Sequence, residues 1–355
     1  MEINLSKYGL TEEFKKAAAQ DTQWELARVT EQHRNLYKVV TKLGFYQAQV
    51  SGKLHHESET SSDFPAVGDW VLVSKNTDQA VIHKILMRKS VLSRENSGSD
   101  QTGQIIASNI DVVFICMSLN DNFNVHRVER YLTIAWDSGA LPVVVLTKSD
   151  LCDDLADKLK ALEEVCFGVD IIISSVTDKQ GYDELLSFTT HNRTVAFVGS
   201  SGVGKSTLIN WLIGADILAT KEIRFADDKG RHTTTSRELL TLPNGGIVID
   251  TPGMRELQIY FGDLSKTFSD IEQLALNCKF RDCTHQKEPG CAVKAAVEQG
   301  RLSQDRLNSY FKLKREMSYD DMNSRQLEND KIQRMFGGKK QMQKARKQML
   351  KIKRR

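Results

Sequence analysis

No apolar run in the 355-residue chain approaches the ~20 residues that a membrane-spanning helix needs. Its first twenty residues, MEINLSKYGLTEEFKKAAAQ, hold no apolar stretch of the signal-peptide kind. A membrane or exported protein is therefore not expected; a soluble, cytoplasmic one is. Cysteine is scarce, with six residues in all. Cys116, Cys152 and Cys166 are scattered, the first and last in or beside apolar segments where a buried thiol is the default. A disulfide framework is not expected without a secretory signal. Internal repeats are absent, and acidic residues are missing altogether from 339–355, which carries nine Lys or Arg. Taking those nine from the net charge of +3 leaves the rest of the chain at −6. The basic charge is thus concentrated in one tail, which points to a polyanionic partner or, more blandly, to a solvated terminus.

With 40% hydrophobic and 27% charged residues the chain is globular and long enough for more than one core. Residues 1–22 read as an extension. From 23 to 93 short alternating runs (QWELARVTEQ, RNLYKVVT, FYQAQVSGKL, DWVLVS, AVIHKILMR) predict five strands of a small all-β barrel of the oligonucleotide/oligosaccharide-binding type. Residues 94–104 read as a linker. From 105 to 264 apolar runs alternate with helical periods, predicting a doubly wound, mostly parallel α/β sheet that closes with the pair RELLTL and GIVID around the turn PNGG. Residues 265–320 predict helices around a cysteine-rich cluster, and 321–355 a basic tail.

Within the α/β region, Gly199-Ser200-Ser201-Gly202-Val203-Gly204-Lys205-Ser206 spells a phosphate-binding loop between an apolar strand and a helix. Its backbone N–H groups and helix N-terminus would face the phosphates. Lys205 would reach the β- and γ-phosphates, Ser206 would ligate Mg²⁺, and Thr207 follows as a further nucleotide contact. Transporter-type ATPases share this spelling but carry an LSGGQ-like signature, which is missing here. Some forty residues on, a strand ends in Asp250-Thr251-Pro252-Gly253; there Asp250 can hold Mg²⁺ through water and the Gly253 N–H can sense the γ-phosphate. The position after Gly253, often a water-orienting Gln in GTPases, is Met254. The loop between them, FADDKGRHTTTSREL, is the switch by position. Its hydroxyl for Mg²⁺ and the γ-phosphate is one of Thr233, Thr234 and Thr235, with Thr234 at the centre.

Earlier in the chain, Thr147-Lys148-Ser149-Asp150 reads as a base-recognition loop with Thr in place of the usual Asn. Guanine presents N1–H and a 2-amino group side by side to a carboxylate, and adenine does not, so Asp150 would select guanine while Lys148 lays its stem along the base. Ser149 or Asp150 could equally cap the helix DLADKLKAL. Ser174-Ser175 ends the next strand, where a second base-contacting loop would be. The base loop precedes the phosphate loop, the reverse of the ordinary GTPase order. A parallel sheet presents all its ligand loops at the carboxyl ends of its strands, so a circular permutation leaves such a site intact.

Cys278, Cys283, His285 and Cys291 offer three thiolates and one imidazole, a full tetrahedral set for one structural Zn²⁺ with no open position. Barrel, linker, permuted motifs and cysteine cluster together resemble the circularly permuted GTPases of small ribosomal subunit biogenesis, over nearly the whole chain. The resemblance implies GTP/GDP binding with Mg²⁺, slow GTP hydrolysis stimulated by the small (30S) subunit, a late role in its assembly, ribosomal RNA as the polyanion, and a monomer. It also implies a catalytic part for His232 in the switch. Tyr37, Phe45, Tyr46 and Trp70 could stack RNA bases or fill the barrel core. A rival reading is an RNA-binding assembly factor whose nucleotide domain is a scaffold.

Overall fold

The structure, a computed structural model, describes residues 2–33, 36–76, 79–94, 104–120, 122–218, 237–250 and 264–320. His232, Thr233, Thr234, Thr235, Gly253, Met254, most of the linker and the basic tail lie outside the described residues.

Five strands form the N-terminal barrel: β1 (Glu25–Gln32), β2 (Tyr37–Thr41), β3 (Gly44–Val50), β4 (Trp70–Lys75) and β5 (Gln79–Ile85). Antiparallel pairing runs β1–β2, β2–β3, β4–β5 and β1–β4, and the parallel β3–β5 ladder completes the ring. Alternating side chains fill it: Ala27, Val29, Val39, Ala48, Val71, Val73 and Ile82 form its core. On its outside, α1 (Glu12–Ala18) covers Trp70, with Phe14 5.6 Å from the indole between ring centres, and α2 (Gly52–Glu57) follows β3.

A hairpin of β6 (Val91–Arg94) and β7 (Gln104–Ser108) leads into the nucleotide-type sheet. There β8 (Val112–Ser118), β9 (Leu141–Thr147), β10 (Asp170–Ser174), β11 (Thr194–Val198) and β13 (Ile247–Asp250) are parallel in the order β10-β9-β8-β11-β13, and β12 (Arg237–Thr241) adds antiparallel to β13. Helices cover both faces, which is why these strands are apolar throughout rather than alternating. Along β8, Val113, Ile115 and Met117 face α3 (Val125–Asp137) and α4 (Leu155–Glu163), while Val112, Phe114 and Cys116 face α5 (Tyr182–Ser187) and α6 (Lys205–Ile213). The C-terminal helices α7 (Leu264–Thr267), α8 (Ser269–Ala275), α9 (Ala292–Glu298) and α10 (Gln304–Asp320) lie over α3 and share its core through Phe268, Ile271, Val293, Leu307 and Tyr310. As the sequence pattern predicts, a barrel, an α/β sheet and a helical region follow one another. The pattern did not reveal that barrel and sheet are continuous: β1 pairs with β12, Glu31 opposite Glu238 and Gln32 opposite Arg237.

Two buried charges fasten these parts. Arg28 of β1, 1% exposed, donates to the carbonyls of Tyr8, Gly68 and Asn109 and to Thr194 Oγ1 of β11 at 3.0 Å. Burial pulls its guanidinium down to about 10, against the opposing pull of Asp111 and Asp69. Glu129 of α3, 1% exposed, accepts from Arg306 of α10 at 2.6 Å, from Ser309 Oγ and from His126. Arg306 also holds Asp270 and the Thr267 carbonyl. Buried ions are tolerated only when satisfied this fully.

Candidate functional site

The carboxyl ends of β9, β10, β11 and β13 carry Thr147, Ser174, Val198 and Asp250, so all four loops singled out from the sequence open on one edge of the sheet. At the end of β11 the chain must curl at once. Gly199 has φ 144°, and a Cβ there would meet the Cys116 carbonyl oxygen at 2.5 Å, so no other residue fits. Gly202 and Gly204 also sit at positive φ, and Gly204 hands the chain into α6, whose first residues are Lys205, Ser206 and Thr207. The first amides of α6 thus point into the loop that Ser200, Ser201 and Val203 complete. Lys205 Nζ donates to the carbonyls of Gly199 and Ser200 at 2.7 and 2.8 Å, and burial holds its amine below the ordinary value. A buried ammonium whose hydrogen-bond partners among the described residues are two neutral carbonyls is poised for an anion, whose charge would restore what desolvation took away. Asp250, at the end of the neighbouring β13, is close enough to Lys205 to oppose that depression.

The base loop leans on the phosphate loop. Thr147 Oγ1 donates to the Val203 carbonyl at 2.6 Å and Lys148 Nζ to the Gly202 carbonyl at 3.0 Å. Lys148 takes up a left-handed conformation at φ 60°, and Ser149 and Asp150 continue in a 3₁₀ turn. Ser175 Oγ donates to Asp150 Oδ1 at 2.8 Å, bringing the two base loops together. This settles the alternative in which Ser149 or Asp150 caps the following helix: α4 begins after Asp154, and Asp150 is engaged with Ser175 instead. Ser174 Oγ is buried with no hydrogen-bond partner among the described residues, an uncommon state for a polar atom and one that suits a ligand contact.

Two supporting residues carried no signal in the sequence. Gln180 accepts from Ser149 Oγ at 2.9 Å and exchanges backbone hydrogen bonds with Ser175, bracing both base loops. Arg127, on the first turn of α3, donates to Ser200 Oγ at 3.3 Å from 73 residues away in sequence. Beside Thr207 a cleft of about 350 Å³ opens, lined by Val176, Asn210 and Trp211 among others.

The hard oxygens of Ser206 and Asp250 are of the kind that suits Mg²⁺. The second candidate centre is Cys278, Cys283, His285 and Cys291, whose four ligand atoms all lie within 4.8 Å of one another. Cys278 Sγ is 3.9 Å from Cys291 Sγ and 3.7 Å from His285 Nδ1, and Cys291 Sγ is 3.5 Å from the same nitrogen. A tetrahedron with zinc–sulfur bonds of about 2.3 Å has edges of about 3.8 Å, close to the three separations among Cys278, His285 and Cys291, so the cluster could converge on one metal ion. The N-terminus of α9 reaches the cluster: Lys294 N–H donates to Cys291 Sγ. Burial pushes the Cys278 thiol up, but the N–H groups of Ala292 and Val293, together with hydrogen bonds to Cys283 and Cys291, outweigh it and leave the thiol below its ordinary value. Burial also keeps His285 below its ordinary value, in the neutral form that ligates metal.

In the barrel, Tyr37 and Trp70 are 5% and 1% exposed, so these two of the four aromatics are core. Phe45 is 49% exposed, with Lys38 Nζ 5.6 Å from its ring centre, and Lys75 stands 5.2 Å from that of Tyr46.

The sequence model of the family described as RsgA GTPase matches residues 85–260. The small ribosomal subunit biogenesis GTPase RsgA 2 of Lactiplantibacillus plantarum is 60% identical over 347 residues, 98% of each chain. The RsgA 1 protein of Oceanobacillus iheyensis is 43% identical, covering 89% of this chain and 92% of its own. Among solved structures, YjeQ from Thermotoga maritima aligns with a TM-score of 0.60 at 28% identity, over 82% of this chain and 98% of that one. YloQ, described as a circularly permuted GTPase, aligns with a TM-score of 0.60 at 25% identity, over 84% and 96%.

Proposed function

The chain belongs to the RsgA GTPase family, and from that premise we propose that it is a GTP-hydrolysing assembly factor of the small ribosomal subunit. The observation that carries the reading is the meeting of Thr147–Asp150, Ser174–Ser175, Gly199–Ser206 and Asp250 on one edge of the parallel sheet, cross-linked by the Thr147–Val203 and Ser175–Asp150 hydrogen bonds. Asp150, aligned by Ser175, accepts from the guanine N1–H and 2-amino groups. The loop amides and Lys205 receive the phosphates, Lys205 exchanging its two carbonyl partners for phosphate oxygens. Ser206 and Asp250 would hold Mg²⁺, which supplies charge neutralisation at the β- and γ-phosphates. Met254 offers a weakly accepting thioether and no donor where a glutamine amide would hold water, so turnover is slow until the small subunit engages, and His232 is the residue that then orients the water. The reading includes late action in subunit maturation, a cytoplasmic monomer, and one structural zinc at Cys278, Cys283, His285 and Cys291.

Among the described residues no helix is long and apolar enough to cross a membrane. Ribosomal RNA is the partner that suits exposed Phe45 and half-buried Tyr46 with Lys38 and Lys75 beside them, together with the nine cations of 339–355. The deciding measurement is GTP hydrolysis with and without purified small subunits. Stimulation is expected; turnover equal in both would overturn the reading in favour of an RNA-binding factor with a scaffolding nucleotide domain.

A further inference from the structure

Thr147 stands where the base loop usually has Asn, and the difference is chemical. A carboxamide has two N–H donors and an acceptor, whereas a threonine has one O–H donor. Thr147 commits that donor to the Val203 carbonyl at 2.6 Å. Its carbonyl is engaged as well, accepting from Leu119 N–H at 2.9 Å. The residue is only 3% exposed, and a Cβ on Gly204 would stand 3.9 Å from both its Cβ and its Oγ1. Its side chain is therefore packed behind the phosphate loop rather than presented to a ligand in front of it. Lys148 likewise turns its ammonium to the Gly202 carbonyl.

Guanine offers two hydrogen-bonding edges to a protein. One carries the acceptors O6 and N7, the other the donors N1–H and the 2-amino group. Asp150, held by Ser175 at 2.8 Å, is an acceptor and can serve only the second edge. Building on the guanine-nucleotide site proposed above, we infer that this protein reads guanine through N1–H and the 2-amino group and leaves N7 unread, Thr147 serving as a positioning residue that pins the base loop to the phosphate loop. Within the Thr147–Asp150 loop, only the Asp150 carboxylate then hydrogen-bonds the base. The Asn-to-Thr difference takes away one donor to the base without weakening the frame.

The test is displacement of a fluorescent GDP analogue from the full-length protein by GDP, 7-deaza-GDP and IDP. The first competitor lacks the N7 acceptor and the second lacks the 2-amino group. The expected result is 7-deaza-GDP within about twofold of GDP and IDP weaker by about three- to tenfold or more, the range one net hydrogen bond or charge-assisted bond supplies. A loss of that size with 7-deaza-GDP would overturn the inference, as would IDP binding as tightly as GDP. Failure of GDP itself to displace the analogue would instead overturn the guanine-nucleotide site. Thr147→Asn supplies the second N–H and should create a roughly three- to tenfold preference of GDP over 7-deaza-GDP; Thr147→Val should weaken both by one common factor. A selective loss of GDP in Thr147→Val would show that the hydroxyl does contact N7. The wild-type comparison stands by itself should either variant fail to fold.

Discussion

Arg306→Met should detach the C-terminal helices from α3 without abolishing the nucleotide sheet. Arg306 is 4% exposed and meets Glu129 at 2.6 Å, both oxygens of Asp270 at 3.0 and 3.1 Å, and the Thr267 carbonyl at 2.6 Å. Its guanidinium also lies 4.3 Å from the centre of the Phe268 ring. Methionine keeps part of the stem's packing and removes every donor. Glu129, buried to 1%, is then left with Ser309 and His126. Stranding a buried carboxylate in this way costs about 3–5 kcal/mol. Asp270 adds little, because its side chain is 21% exposed and water can reach it. The loss falls on residues 264–317, which the cluster ties to α3, so it should be read there: urea titration followed by metal release from the cysteine cluster to a colorimetric chelator. With a slope of about 1–3 kcal/mol/M for a unit this small, the midpoint should fall by at least about 1 M. Glu129→Gln combined with Arg306→Met leaves no stranded charge and should recover much of it. A midpoint for Arg306→Met within about 0.3 M of wild type would refute the view that this cluster fastens the helical region.

His232→Ala should keep GTP affinity and lose most subunit-stimulated turnover, read by nucleotide displacement and phosphate release in parallel; unchanged turnover would remove His232 from the mechanism. A strong zinc chelator should unfold the Cys278–Cys291 region and lower its helical circular dichroism, since a structural metal supplies folding energy; purified protein free of zinc with an ordered C-terminal region would contradict this. Deleting 339–355 should flatten the dependence of subunit binding on salt concentration, because each tail cation that pairs with a phosphate releases counterions on binding; an unaltered slope would mean that the tail touches no phosphate.

Contiguous chemistry was legible in the sequence. The phosphate loop, Thr147–Asp150 and the Cys/His cluster each fit within fourteen residues or fewer and carry their geometry with them, because a glycine-dependent curl or a tetrahedral ligand set admits few spellings. The barrel strands announced themselves by alternation. Pairings between distant segments did not. Glu129 and Arg306 lie 177 residues apart, Arg28 and Thr194 lie 166 apart, and a charged residue that is buried looks no different in sequence from one that is solvated. The barrel aromatics show the same limit: Tyr37 and Trp70 went to the core and Phe45 to the surface, a division that depends on register and on α1 covering one wall. The two-residue ladder between β1 and β12 was equally hidden.

That short ladder has a consequence for how the chain can be divided. A sheet that ended at β12 would present a row of unpaired backbone donors and acceptors, which is a template for joining another copy. In the intact protein β1 occupies part of that edge, and Arg237 closes over it by reaching Gln32 and the Ile105 carbonyl. The barrel is thus a stopper as well as a candidate RNA reader. A nucleotide domain cut free of it would lose its guard against self-association and, with Arg28 gone, would leave the Thr194 hydroxyl and the Asn109 carbonyl without their buried partner. Barrel deletion would therefore measure colloidal stability before it measured RNA recognition, and point changes at Phe45 and Tyr46 are the cleaner way to separate the two.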